Sequence, residues 1–293
     1  MTSQHTATVT VLGAGTMGRG IAIAALDAGL EVTLVDVGSA VLEATRQRIA
    51  GYFERHPRDE ASELPVRGTL HTETDLEAAS RHVDAVIEAV PEILDLKLEI
   101  FGRLKAAPAG TLLVSNTSTM SIGRLAEAAG GSADVVGMHF FNPAHKMPLV
   151  EVVVGDGTSE SARERAVALA HTLGKDPVVV RDVPGFVTSR LGLLLGTEAM
   201  RMVEEGVATA GDIDKAMRLG YRHPMGPLEL ADLVGLDARL NNLRSMHERS
   251  GNDAYDPPAI LVELVREGHL GRKSGRGFFA YDEAGKATTE AGR

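Results

Sequence analysis

The feature that most confines this chain lies near its start. Gly13-Ala14-Gly15-Thr16-Met17-Gly18 follows directly on the apolar run Ala7 to Leu12 and leads into the helical pattern Ile21 to Ala28. A second run, Glu31 to Val35, then ends in Asp36. Strand, glycine turn, helix and returning strand make a βαβ unit, which belongs to a parallel sheet. Gly13 permits the tight bend, Gly15 lets backbone approach a pyrophosphate, and Gly18 lets the helix pack closely on the strand. Thr16 and Met17 lie in the same turn and are counted with it as cofactor-binding. The helix N-terminus presents unpaired N–H groups and partial positive charge to phosphates. Asp36 stands where a carboxylate accepts hydrogen bonds from ribose hydroxyls and repels a 2′-phosphate. No arginine follows it in Val37-Gly38-Ser39, so the expected cofactor is NAD rather than NADP.

Strand and helix patterns go on alternating. Val83 to Glu88, Thr111 to Ser115, Asp134 to His139, Leu149 to Val154 and Pro177 to Arg181 read as strands, with helices at Ile93 to Ala107 and Glu160 to Leu173. The expected fold class is α/β: a Rossmann-type, doubly wound, mostly parallel sheet. Ser39 to about Leu64 reads as a charged helical insertion. After Asp182-Val183-Pro184-Gly185 the character changes to a long apolar helix, Phe186 to Glu205, followed by shorter helical patterns. The expected division is a nucleotide-binding domain over 1–183 and an all-helical C-terminal domain over 184–293.

The 293 residues are ample for two domains, and 44% hydrophobic with 24% charged residues is an ordinary globular balance. A formal net charge of −10 argues against nonspecific binding to nucleic acid or anionic membranes. An anionic substrate must then meet a local basic patch. With no cysteine, disulfides, thiol nucleophiles and thiolate metal sites are excluded. Met1 to His5 lacks the pattern of a signal peptide, and no apolar run is long enough to span a membrane. The expected location is cytoplasmic.

Chemistry concentrates in Gly137-Met138-His139-Phe140-Phe141-Asn142-Pro143 and in Leu149-Val150-Glu151-Val152-Val153. A histidine ending one strand, with a carboxylate on a neighbouring strand, is what a tuned general base requires. Read with Ser115-Asn116-Thr117-Ser118-Thr119 and the glycine turn, the chain resembles the 3-hydroxyacyl-CoA dehydrogenase family, in particular its single-function bacterial 3-hydroxybutyryl-CoA dehydrogenases. The resemblance runs from about Ala7 to about Tyr281.

The resemblance implies oxidation of an L-3-hydroxyacyl-CoA to the ketone by NAD, with His139 as general base and Glu151 holding its ring. It implies that Ser118 hydrogen-bonds the substrate oxygen and that Asn142 borders the nicotinamide. Asn116, Glu92 and Lys97 fall among residues lining the cofactor cleft, and Lys273 matches a lysine brought toward the nucleotide. The insertion at 39–64 matches an arm that helps to hold CoA, and the helical domain matches a homodimer interface. Two departures stand out. Ser189 occupies a position where the family usually has an asparagine that fixes the substrate oxygen. The arm carries Arg46, Arg48, Arg55 and Arg58, which either bind phosphates or balance Glu43, Glu54, Asp59 and Glu60. The same chemistry on another 3-hydroxy acid or a carrier-protein thioester, and a non-catalytic NAD-binding protein, remain as alternatives.

Overall fold

The computed structural model describes residues 7–58 and 66–290. The last part of the expected arm, with Asp59 and Glu60, lies outside the described residues, as does Met1 to His5. The chain divides into two compact units, one ending at Phe186 and one beginning at Val187.

The first unit runs β1 (Thr8–Leu12), α1 (Thr16–Asp27), β2 (Glu31–Val35), α2 (Ser39–Arg55), β3 (Leu70–Glu73), α3 (Leu76–Ala79), β4 (Ala85–Glu88), α4 (Leu94–Leu104) and β5 (Leu112–Ser115). It continues through α5 (Ile122–Ala128), β6 (Val135–Phe140), β7 (Leu149–Val154), α6 (Glu160–Thr172) and β8 (Asp176–Arg181). The strands form one sheet ordered β3-β2-β1-β4-β5-β6-β7-β8. From β3 to β6 all neighbours are parallel. β7 then runs antiparallel to β6, and β8 runs parallel to β7. The mostly parallel, Rossmann-type sheet expected from the sequence is therefore present.

Burial explains why the inner strands were legible. Every residue of β4 and β5 is buried, as strands covered on both faces require. β3 was not foreseen, because Leu-His-Thr-Glu is a polar edge strand with little apolar signal. Helix α1 begins at Thr16, earlier than the apolar pattern indicated, so the last glycine of the turn lies inside its first turn.

Two cores flank the sheet. Val136, Met138 and Phe140 of β6 join Ile21, Ile23 and Ala166 on one face. Val135 of β6 and Val153 of β7 join Phe101, Leu125 and Phe186 on the other. Side chains alternate along a strand, so His139 shares the second face with Val135, and Glu151 shares it with Val153. The chain order reverses between β1 and β4, the switch point at which ligands of doubly wound sheets bind beyond the strand C-termini.

The second unit contains α7 (Thr188–Glu204), α8 (Ala210–Gly220), α9 (Pro227–Val234), α10 (Leu236–Ser250) and α11 (Ala259–Arg266). A short antiparallel hairpin of β9 (Phe279–Tyr281) and β10 (Ala287–Glu290) follows, an addition to the helical pattern. Two fully buried carboxylates organise the middle of this unit. Asp214 accepts the N–H groups of Leu228 (2.9 Å) and Glu229 (2.8 Å), capping α9 from outside. Asp232 accepts the N–H groups of Phe278 and Phe279, both at 3.0 Å, and the Tyr281 hydroxyl at 2.9 Å, which ties the hairpin to α9.

Burial pushes the Asp232 carboxyl up to about 6, against the three donors that favour its charged form. The folded state therefore holds this proton across a window, from the ordinary carboxylate range up to about 6, in which the unfolded chain has released it. Its contribution to stability grows as pH falls through that window and is lost above it, a span on the order of 3 kcal/mol. Replacement by asparagine should remove that slope. Denaturant midpoints of the native protein and Asp232→Asn, compared from neutral to mildly acid pH, check this; identical pH slopes would rule it out.

Candidate active site

The glycine turn has the geometry its sequence demands. Gly13 sits at φ +98°, and a Cβ there would lie 2.8 Å from the Ala89 carbonyl oxygen. A Cβ on Gly18 would lie 1.8 Å from the Gly13 oxygen, so only glycine lets the first turn of α1 close onto the bend. At Gly15, by contrast, a Cβ would meet nothing within 4 Å. Gly15 also gives α1 no side-chain cap, and Thr16 beside it is exposed while Met17 is half-buried. The result is an open backbone face at the positive end of a helix, suited to a pyrophosphate. Asp36 braces the turn from β2: its Oδ2 accepts the Ala14 N–H at 2.9 Å and its Oδ1 the Gly38 N–H at 3.2 Å. An ionised carboxylate has about four acceptor positions, so capacity remains for ribose hydroxyls. These residues fit NAD.

On the far side of the switch point, β6 and β7 place His139 directly opposite Glu151 in antiparallel register. The imidazole Nδ1 and Glu151 Oε2 are 2.7 Å apart. Glu151 is 1% and His139 9% exposed. An ionised carboxylate can only accept, so Nδ1 carries the hydrogen and donates it. In the neutral ring Nε2 then keeps its lone pair. Phe141 and Phe186 flank the ring, with centroids 4.6 and 5.9 Å away. The pair can take a proton at Nε2 and stabilise the resulting imidazolium through the buried carboxylate.

A third group of residues joins the ends of β4 and β5. Lys97 is 1% exposed and Glu88 0%, and Lys97 Nζ lies 2.6 Å from Glu88 Oε1 and 3.1 Å from Glu92 Oε2. Glu88 also accepts the Val90 N–H at 2.8 Å and the Ser115 hydroxyl at 2.7 Å. Glu92 Oε1 accepts the Thr117 hydroxyl and the N–H groups of Ser118 (2.9 Å) and Thr119 (3.3 Å). Burial works to raise the Glu92 carboxyl, but the Lys97 charge, the Thr117 hydroxyl and the Ser118 N–H outweigh it and leave it below its ordinary value. The turn that carries Ser118 is thus fixed to an anchored carboxylate. Sequence reasoning missed Glu88 and Thr117. A carboxylate ending the otherwise apolar Ala85-Val86-Ile87-Glu88 was the available signal for the first.

Asn116 takes a part the sequence did not indicate. Its Oδ1 accepts the Phe140 N–H at 2.9 Å, tying the β5 turn to the residue next to His139. Asn142 is exposed, two residues beyond β6. Ser189 and Lys273 both belong to the second unit. Ser189 lies half-buried in the first turn of α7. Lys273 Nζ contacts both Asp237 oxygens at 2.6 Å, and that bond holds the Asp237 carboxyl below its ordinary value. Of the arm arginines, Arg46 pairs with Glu43 at 2.8 Å and Arg58 with Asp27 at 3.2 Å.

The sequence model of the 3-hydroxyacyl-CoA dehydrogenase NAD-binding domain matches residues 8–183, and that of the same family's C-terminal domain matches 185–281. The chain belongs to the 3-hydroxyacyl-CoA dehydrogenase family. A Bacillus subtilis relative named probable 3-hydroxybutyryl-CoA dehydrogenase is 42% identical over 94% of this chain and 97% of its own. A Mycobacterium tuberculosis 3-hydroxybutyryl-CoA dehydrogenase is 42% identical over 93% of this chain and 98% of its own. The crystal structure of (S)-3-hydroxybutyryl-CoA dehydrogenase from Ralstonia eutropha superposes with a TM-score of 0.87 at 36% identity, covering 94% of this chain and 99% of that one. As a 3-hydroxyacyl-CoA dehydrogenase, the chain is an NAD-dependent oxidoreductase. Among its described residues, no helix is long and apolar enough to cross a membrane.

Proposed function

We propose that this dehydrogenase interconverts a short-chain L-3-hydroxyacyl-CoA, such as 3-hydroxybutyryl-CoA, and its 3-ketoacyl-CoA in the cytoplasm, with His139 as the general base. The observation that carries the reading is the bond from His139 Nδ1 to the buried Glu151, because it leaves Nε2 as the ring's proton acceptor. NAD supplies the hydride acceptor, which leaves the protein to place the substrate and to manage one proton. His139 takes the hydroxyl proton at Nε2 and returns it in the reverse direction, while Glu151 holds the tautomer and the charge. Ser118, on its anchored turn, offers the substrate oxygen a hydroxyl that otherwise makes a long bond of 3.4 Å to Glu92, with Asn142 beside the nicotinamide. Ser189 serves catalysis from the family's asparagine position, through water or with its neighbour taking over the contact. Gly13, Gly15, Thr16, Met17, Gly18, Asp36, Glu92, Lys97, Asn116 and Lys273 serve the cofactor.

The short chain length is supported by the names of the relatives in Bacillus and Mycobacterium. Residues 1–183 serve as the cofactor domain and 184–293 as the substrate and dimerisation domain. The second unit exposes Leu191, Leu219 and Tyr221, apolar surface of the kind that a second subunit covers. Oxidation of NADH by acetoacetyl-CoA, followed by nicotinamide absorbance across acyl-CoA chain lengths and carrier-protein thioesters, tests the reading. The expected outcome is fastest turnover with the four-carbon CoA ester. A preference for a carrier-bound or long-chain substrate would reassign it.

A further inference from the structure

His139 lies near the end of a strand that outruns one of its neighbours. The pairing of β5 with β6 stops at Ser115 opposite Gly137, whereas β6 continues to Phe140. On the other side β7 stays in register, with Glu151 opposite His139 and Val150 opposite Phe140. Beyond Gly137, β6 is therefore paired only with β7. The backbone groups of successive residues in a strand face opposite neighbours. Leu113 of β5 donates its N–H to the Asp134 carbonyl, so Asp134, Val136, Met138 and Phe140 turn their backbone groups toward β5. His139 turns its own toward β7.

Continued in the same register, the ladder would hand the Phe140 N–H to the Thr117 carbonyl. The chain turns away before that, because β5 ends at Ser115 and the next residues form the turn of Ser118. There the Thr117 N–H bonds the Ser115 hydroxyl at 3.3 Å, and the N–H groups of Ser118 and Thr119 bond Glu92. Asn116 stands where the two paths part. Its own N–H donates to the Glu88 carbonyl at 2.8 Å, and its side-chain Oδ1 accepts the Phe140 N–H at 2.9 Å. The side-chain carbonyl thus takes the place of the missing main-chain acceptor. Phe140 is 3% exposed, and a buried donor left unpaired costs about 1 to 3 kcal/mol. Only the oxygen of the amide can accept that bond, which leaves the Nδ2 donors to other partners.

We propose that Asn116 is a positioning residue for the general base: its side-chain carbonyl clamps the end of β6 from the β5 side, as Glu151 holds the imidazole from β7. The inference rests on His139 being the base. It gives the placement of Ser118 and His139 a common origin, since one residue opens the Ser118 turn and clamps the histidine's strand. A misplacement of about 1 Å can slow a reaction on the order of 10²-fold. A strand end freed on one side should therefore slow proton transfer and leave the cofactor turn on β1 and β2 untouched.

Asn116→Ala removes the acceptor, and Asn116→Asp keeps an oxygen in its place while removing the amide donors. With acetoacetyl-CoA and NADH, hydride passes to the carbonyl carbon and a proton passes from Nε2 of the imidazolium to the oxygen. In Asn116→Ala, kcat should fall roughly 10- to 100-fold. The solvent deuterium isotope effect on kcat should rise above the native value, because proton transfer becomes the slow step. Asn116→Asp should recover most of both. A native kcat in Asn116→Ala overturns the proposal, and so does a reduced kcat with an unaltered isotope effect. An aspartate variant as slow as the alanine one also overturns it, by giving the role to the amide N–H groups. Hydrogen exchange of the Phe140 amide tests the clamp without turnover. Protection in the native protein and Asn116→Asp, lost in Asn116→Ala, supports it, and an unprotected native Phe140 overturns it. Should His139→Ala keep native turnover while that exchange pattern holds, it is the reading of the base that fails.

Discussion

Replacing His139 by alanine should lower kcat by about 10² to 10⁴, the usual worth of a positioned general acid–base group, with no change in NADH affinity. The size follows from what the ring alone supplies. His139 stands opposite Glu151 at the C-terminal end of β6, and the cofactor turn lies on β1 and β2, strands away in the same sheet. Truncation therefore deletes the proton acceptor without touching Gly13, Gly15 or Asp36. Glu151→Gln provides the complementary measurement. An amide can donate as well as accept, so it no longer forces the hydrogen onto Nδ1 and can leave Nε2 protonated and unfit as a base. Its kcat should fall too, because the imidazolium that forms in the reaction has lost its counter-charge. Steady-state kinetics of both variants with acetoacetyl-CoA and NADH check this. Near-native turnover in His139→Ala would remove the histidine from the reaction.

What could be read in advance followed from local physics. Only glycine tolerates the bend at Gly13 and the packing at Gly18, where a Cβ would lie 1.8 Å from a carbonyl oxygen, so those positions announce the turn. His139 and Glu151 were legible because two adjacent strands joined by one loop bring chosen residues face to face, and both lie on the same face of their strands. Glu88 and Lys97 were not, because their contact depends on how α4 packs against β4, which no spacing in the chain reveals. The arm arginines allowed two readings, and the structure pairs Arg46 and Arg58 with carboxylates, one of which, Asp27, belongs to α1 and not to the arm. β3 escaped notice because an edge strand needs no apolar face. Lys273 likewise has a partner that no spacing in the chain reveals, because its ammonium is held by Asp237.

Lys97→Met should destabilise the first unit by about 3 to 5 kcal/mol, the cost of stranding a buried carboxylate without its cation. Glu88 is fully buried, and Ser115 and Val90 offer it neutral donors only. The effect reaches the site through Glu92. Without the Lys97 charge, burial acts on Glu92 unopposed by its strongest counterweight and moves that carboxyl upward. A protonated Glu92 accepts less well from the Ser118 N–H and the Thr117 hydroxyl, so the turn loosens and kcat/KM should decline toward acid pH more steeply than in the native protein. The double variant Glu88→Gln/Lys97→Met separates the two consequences. With the charges at positions 88 and 97 removed together, most of the lost stability should return, whereas the altered pH profile should persist because Glu92 still lacks its cation. Denaturant unfolding and kcat/KM against pH, measured on the single and double variants, read both arms. A single variant as stable as the native protein would show that the Glu88–Lys97 pair does not hold this part of the fold. A double variant that recovers both stability and the native pH profile would show that Ser118 is positioned without help from Lys97.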